Sequence, residues 1–147
     1  MDLQHELVIP GAYHEIGAGC DFVAQGAGEA GFGEDAVFRL TLACDEALTN
    51  VIEHAYGGEG RGEIRITWAT NPREFVVTIR DFGQPFQPEA VEAPLSPGVD
   101  TDPASLRVGG LGMHIMRKVM DRILYRFDPA EGNLLTMSLK LPSGSTA

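Results

Sequence analysis

The sequence predicts an α+β fold: a two-layer sandwich in which a mainly antiparallel sheet carries its helices on one face. Three observations predict it. One long segment has clear helical periodicity, several short segments alternate with the period of a strand, and the strands come in adjacent pairs rather than in βαβ units. The order is strand, helix, helix, strand, strand, long loop, helix, strand, strand. A chain of 147 residues, 44% of them apolar, is enough for one domain with a core of its own. Residues 1–141 are read as that domain, and 142–147 as a flexible tail ending in the small polar run Ser143–Ala147.

Glu6-Leu7-Val8-Ile9, ahead of Pro10, reads as the first strand. Residues 11–27 mix Ala and Gly with Ile16, Phe22 and Val23 in a weak helical pattern, which Gly31 and Gly33 break. A much stronger helix runs from about Glu34 to Tyr56. Its apolar stripe is Val37, Leu40, Cys44, Leu48, Val51 and Ala55, at spacings of three and four. Glu34 and Asp35 suit the positive end of its dipole, and Gly57-Gly58 stops it.

Glu63–Trp68 alternates polar and apolar residues, as does Glu74–Arg80 with one slip, and Asn71-Pro72 between them predicts a hairpin turn. Residues 82–109 lack periodicity and hold five of the nine prolines; within them, about 84–109 reads as a lid. Gly109-Gly110-Leu111-Gly112 then opens a helix through Met113, Ile115, Met116, Val119 and Met120. Two strands close the domain, around Ile123–Phe127 and Leu134–Leu141.

The net charge of −10 argues against DNA or RNA as a direct ligand, because no basic arm offsets the repulsion of a phosphate backbone. A basic protein partner stays compatible, as does a ligand whose charge is neutralised by a metal and backbone N–H groups. No basic start followed by an apolar run is present, so no secretory signal is expected, and no segment has the length to span a bilayer. Cys20 and Cys44 both lie in helix-like sequence, the pattern of reduced thiols in a cytoplasmic protein.

Three elements carry chemistry. Glu46, Asn50 and His54 follow one another at i, i+4 steps, so a helix projects them from one stripe. Taken alone, such a stripe is also what a solvated helix face looks like. An acid and an amide one turn apart can nonetheless order a hydroxyl and ligate a hard cation. Asp81-Phe82-Gly83 leaves a strand; its carboxylate can accept the exocyclic amine of a purine, and Gly83 lets a flat ring approach the backbone. Gly109–Gly112 meets a helix N-terminus, where free N–H groups and the dipole favour an anion.

In this order and at these separations, from about Glu6 to Leu141, the chain resembles the GHKL (Bergerat-fold) ATPases, and within them the small bacterial anti-sigma factor serine kinases. The resemblance rests on Glu46, Asn50 and His54-Ala55-Tyr56, on Asp81-Phe82-Gly83, and on Gly110-Leu111-Gly112. It implies that Asn50 ligates Mg²⁺ bridging the phosphates of ATP, and that Glu46 is the general base toward an incoming hydroxyl. It implies that Asp81 binds the adenine amine, that Gly83 lets the base pack, and that Gly110 and Gly112, flanking Leu111, wrap the phosphates. The implied substrate is a serine of an anti-anti-sigma (STAS-domain) protein, the implied second partner a sigma factor, and the implied assembly a homodimer. His54 either orients the phosphate side of the site or packs the helix end. Arg107 either adds a cation at the γ-phosphate or is a surface charge.

One stretch departs from the family. Related sequences carry a Gly-Thr pair in the last strand, whose hydroxyl helps hold adenine; here the residues are Gly132-Asn133, and strand alternation turns the nearby Thr136 away. Other motifs lead nowhere. Asp-Phe-Gly also occurs in eukaryotic protein kinases, but the His-Arg-Asp loop and Val-Ala-Ile-Lys strand of that fold are missing. Gly26-Ala27-Gly28-Glu29-Ala30-Gly31 fits a dinucleotide fingerprint without the βαβ context it needs. His5, His14, His54 and His114 lack metal-ligand spacing. Two rivals remain: a non-catalytic ATP-binding regulatory switch, for which a base at Glu46 would be superfluous, and the ATPase domain of a split histidine kinase, which would need a phospho-accepting helix pair elsewhere.

Overall fold

The computed structural model describes residues 4–85 and 116–142. In chain order these form β1 (His5–Pro10), a 3₁₀ turn (Tyr13–Glu15), α1 (Ile16–Glu29), α2 (Glu34–Asn50), a π-helical turn (Val51–Ala55), β2 (Glu63–Thr70), β3 (Glu74–Asp81), β4 (Arg122–Asp128) and β5 (Gly132–Lys140). Residues 116–119 are helical as well. The strands build one sheet in the order β1-β2-β3-β5-β4, each neighbour antiparallel. The α+β sandwich with an antiparallel sheet is the fold the sequence predicts. The start of the lid-following helix and all but the first residues of the lid lie outside the described residues.

Strand alternation decides which face is covered. Phe75, Val77, Ile79 and Asp81 of β3 are buried while the residues between them are only partly so. In register with them lie Ile66 and Ile64 of β2 and Leu135 and Met137 of β5, all buried. The inner face of the sheet meets α1 and α2, whose Val23, Leu40, Cys44 and Leu48 are at or near zero exposure. Thr136 stands opposite Thr78 on the other face, as the alternation predicts.

α1 has weak periodicity because its buried face is built from small residues. At Gly26 a Cβ would sit 2.3 Å from the ring of Trp68, so only glycine lets the helix approach the sheet there. His5 stacks on the indole at 4.0 Å between ring centroids. The dinucleotide-like motif is therefore helix packing. α1 ends in a Schellman pattern: Phe32 N–H donates to the Ala27 carbonyl and Gly31 N–H to that of Gly28, with Gly31 at φ 100°. Asn71 builds the predicted hairpin turn by accepting the N–H groups of Arg73 and Glu74, each at 2.8 Å.

The helix expected as one piece from Glu34 to Tyr56 changes character at Asn50. Beyond it, Tyr56 N–H reaches the Val51 carbonyl, so the turn is wound one residue wider, and Gly58 N–H closes its end on the Ile52 carbonyl. Such turns inside helices occur frequently at functional sites.

Candidate active site

The site is assembled by two junctions. At the first, the widened turn after α2 receives the segment leaving β3. Gln84 N–H donates to the Ala55 carbonyl at 2.8 Å, and the Gln84 amide donates to the His54 carbonyl at 3.2 Å. Phe82 N–H donates to the Tyr56 hydroxyl at 3.0 Å, and that hydroxyl in turn donates to the Glu63 carbonyl. Gly83 lies so close to the turn that a Cβ would be 2.4 Å from the Ala55 oxygen. Gly83 is thus required where two backbones meet. The His54 side chain is half-buried, and its backbone carries one of the anchors.

The second junction lies between the ends of β3 and β5. Asp81, 2% exposed, pairs in register with Asn133, 1% exposed. Asn133 Nδ2 donates to Asp81 Oδ1 at 2.7 Å and to the Gln84 carbonyl at 3.0 Å, with the Gly83 carbonyl at 3.5 Å. Asn133 Oδ1 accepts from the Tyr125 hydroxyl. Gly83 N–H adds a second donor to Asp81 Oδ1 at 2.8 Å. Burial pushes the Asp81 carboxyl above its usual range, and the hydrogen bonds from Asn133 and Gly83 pull it back.

α2 supplies the wall beside these junctions. Asn50 is 1% exposed, an unusually deep position for an amide. Glu46, one turn earlier, is half-buried. Burial raises its pKa, and the charges of Asp45 and Glu53 raise it further. A carboxyl displaced in that direction is a stronger proton acceptor near neutral pH. Mg²⁺ binds through one or two protein oxygens, phosphate oxygens and retained waters. A single buried amide oxygen at Asn50 fits that demand. Among the described residues, no group of three or more His, Cys, Asp or Glu could hold a metal.

The structure therefore brings together the backbone of His54, Asp81 and Gly83; Asn50 and Glu46 lie on α2, one and two turns before His54. Gly110, Leu111, Gly112 and Arg107 lie outside the described residues. Sequence reasoning named Tyr56 only as part of the His54-Ala55-Tyr56 motif, missed Tyr125, and saw Asn133 only as a departure. Its signal is pairing register, which joins positions 52 residues apart. Cys20 and Cys44 are buried free thiols.

A helix carrying a half-buried acid and a buried amide thus leads into a turn clamped to a strand end with a buried aspartate, an arrangement compatible with an ATP-binding domain of the kinase and ATPase class. A family model described as histidine kinase-like ATPase domain matches residues 10–139. The serine-protein kinase RsbW of Listeria monocytogenes serotype 4a is 32% identical over 111 residues, covering 75% of this chain and 71% of that protein. The serine-protein kinase RsbW of Oceanobacillus iheyensis is 28% identical over 119 residues, covering 80% and 75%, and that of Bacillus velezensis 30% over 98 residues, covering 66% and 61%. The chain belongs to the histidine kinase-like ATPase family and, within it, to the serine-protein kinases of the anti-sigma factor type. No helix among the described residues is long and apolar enough to cross a membrane.

Proposed function

We propose that this protein is a Mg²⁺- and ATP-dependent serine kinase that phosphorylates an anti-anti-sigma (STAS-domain) protein and sequesters a sigma factor. The observation that carries the reading is the clamp between the β3 exit and the turn after α2. It joins the Asp81–Gln84 segment, which we read as the adenine end of a nucleotide site, to the Ala55 and His54 carbonyls of the turn after Asn50, which we read as the phosphate end.

In this reading Asp81 accepts the adenine amine, Gly83 keeps the base platform against the turn, and Gly110, Leu111 and Gly112 enclose the phosphates. Mg²⁺, held through the Asn50 amide oxygen, would neutralise charge on the phosphates. Glu46 orients the serine hydroxyl and accepts its proton as the bond from serine Oγ to the γ-phosphorus forms and the β–γ bridge breaks, leaving ADP. Phosphoryl transfer draws mainly on such positioning and charge neutralisation. Arg107 is assigned to the lid side of the γ-phosphate and His54 to holding the helix end. We assign the protein to the cytoplasm as a homodimer with no direct role on nucleic acid; its net charge of −10 supports the last point.

The test is phosphorylation of a cognate STAS protein with labelled ATP. Glu46→Gln should bind ATP as the parent does and transfer phosphate at least about a hundredfold more slowly. Wild-type rates in Glu46→Gln would remove the base assignment. ATP that stays intact in the presence of the partner would favour a non-catalytic switch.

A further inference from the structure

We propose that Asn133 sets the base selectivity of the site, by presenting one oxygen of Asp81 to a purine that carries an amine where guanine carries a carbonyl. The proposal rests on the reading of this pocket as an adenine-nucleotide site. Asn133 is buried and can be oriented in only one way. Its nitrogen faces the Asp81 carboxylate and the carbonyls of Gly83 and Gln84, all acceptors, while its oxygen faces the Tyr125 hydroxyl, a donor. The reverse orientation would set an oxygen against three acceptors and withdraw a donor from each of them. The three acceptors therefore set the orientation of the amide, the Tyr125 hydroxyl holds its oxygen in place, and the amide holds the aspartate.

The consequence is an asymmetric carboxylate. Among the described residues, the hydrogen bonds to Asp81 fall on Oδ1, from Asn133 and from Gly83 N–H. Oδ2 is left as an acceptor. An ionised carboxylate only accepts, so it attracts an exocyclic amine and repels a carbonyl at the same position of the base. Donation from Asn133 also opposes the upward pull of burial on Asp81. Without that donor the neutral acid becomes accessible, and a neutral acid can donate to a carbonyl. Removing Asn133 should accordingly relax the site toward guanine nucleotides as well as weaken adenine binding.

The experiment is competition of ATP and GTP, each with Mg²⁺, against a fluorescent adenine nucleotide on the full chain. The parent should prefer ATP. Asn133→Ala should lower the ATP-to-GTP preference by about tenfold or more, the scale of one lost hydrogen bond to a charged group. Tyr125→Phe, which keeps the ring and removes only the hydroxyl, should lower it by about threefold. Thermal unfolding establishes that each variant is folded. An unchanged preference in folded Asn133→Ala overturns the proposal; if that variant does not fold, an unchanged preference in Tyr125→Phe does so. A parent that binds no ATP overturns the nucleotide reading along with it, so the two failures are distinct.

Discussion

Gly83→Ala is the sharpest probe of how the site is held together. The added methyl would lie 2.4 Å from the Ala55 oxygen, 2.5 Å from its carbonyl carbon and 2.9 Å from its Cβ. Ordinary contact begins near 3.4 Å, so the strand exit and the turn must part by about 1 Å. No flexible side-chain tip is available to yield. Separation on that scale breaks the Gln84 N–H bond to the Ala55 carbonyl, now 2.8 Å. Overpacking costs about 1–3 kcal/mol and the lost hydrogen bond about 1 kcal/mol, while the stiffer unfolded chain returns ~0.4–1 kcal/mol. A net loss of about 2–3 kcal/mol remains, a drop in Tm of roughly 5–10 °C for a domain of this size. Urea unfolding monitored by Trp68 fluorescence, at unchanged m, measures it directly. Because Gly83 N–H also holds Asp81, ATP affinity should fall in the same variant. A loss below about 0.5 kcal/mol, within the range of ordinary surface substitutions, would refute the claim that two backbones meet at this glycine.

Gly28→Ala is the contrasting case: a Cβ there meets nothing within 4 Å, so the variant should be more stable by roughly 0.5–1 kcal/mol in the same urea assay. Asp81→Asn should lose ATP affinity in calorimetric titration by about tenfold or more. Since the folded-state pKa of Asp81 is raised, the parent's stability relative to Asp81→Asn should be greatest below the ordinary carboxylate pKa and decline as pH climbs through the raised value. An opposite slope would show that its hydrogen bonds outweigh burial. Glu46 must be ionised to accept a proton, so phosphotransfer at saturating ATP should increase with pH through a midpoint above the usual carboxylate range. Glu53→Gln removes one of the charges that raise it, and the midpoint should move down; a midpoint that stays put would exclude Glu53 from the electrostatics of the base.

The parts of the site legible in the sequence are those fixed by local periodicity. Glu46 and Asn50 share a stripe because four residues of α-helix return nearly to the same face. Asp81 is recognisable because a strand pattern stops there. The widened turn at Val51–Ala55 was not legible: its five-residue hydrogen-bond spacing leaves no apolar signature, and Val51 and Ala55 are buried whether the helix is α or π. Strand order was also hidden. β5 inserts between β3 and β4, and an alternating segment says which residues share a face without saying which neighbour it joins. α1 looked weak for a third reason, because its contact with Trp68 is made by the absence of a side chain.

Asn133 illustrates what pairing adds to pattern. In the sequence the position lacks the family's threonine, and the next hydroxyl along the strand is that of Thr136. The register sends that hydroxyl to the opposite face beside Thr78 and sets Asn133 across from Asp81. An amide there offers two N–H groups where a hydroxyl offers one. The surplus is used: one bond reaches Asp81 and the other the Gln84 carbonyl, in the segment clamped to the turn after α2. A threonine could satisfy the carboxylate or the carbonyl with its single proton, but not both at once. The amide therefore couples the Asp81 carboxylate to the backbone segment clamped to the turn after α2, which a hydroxyl at the same position cannot do alone.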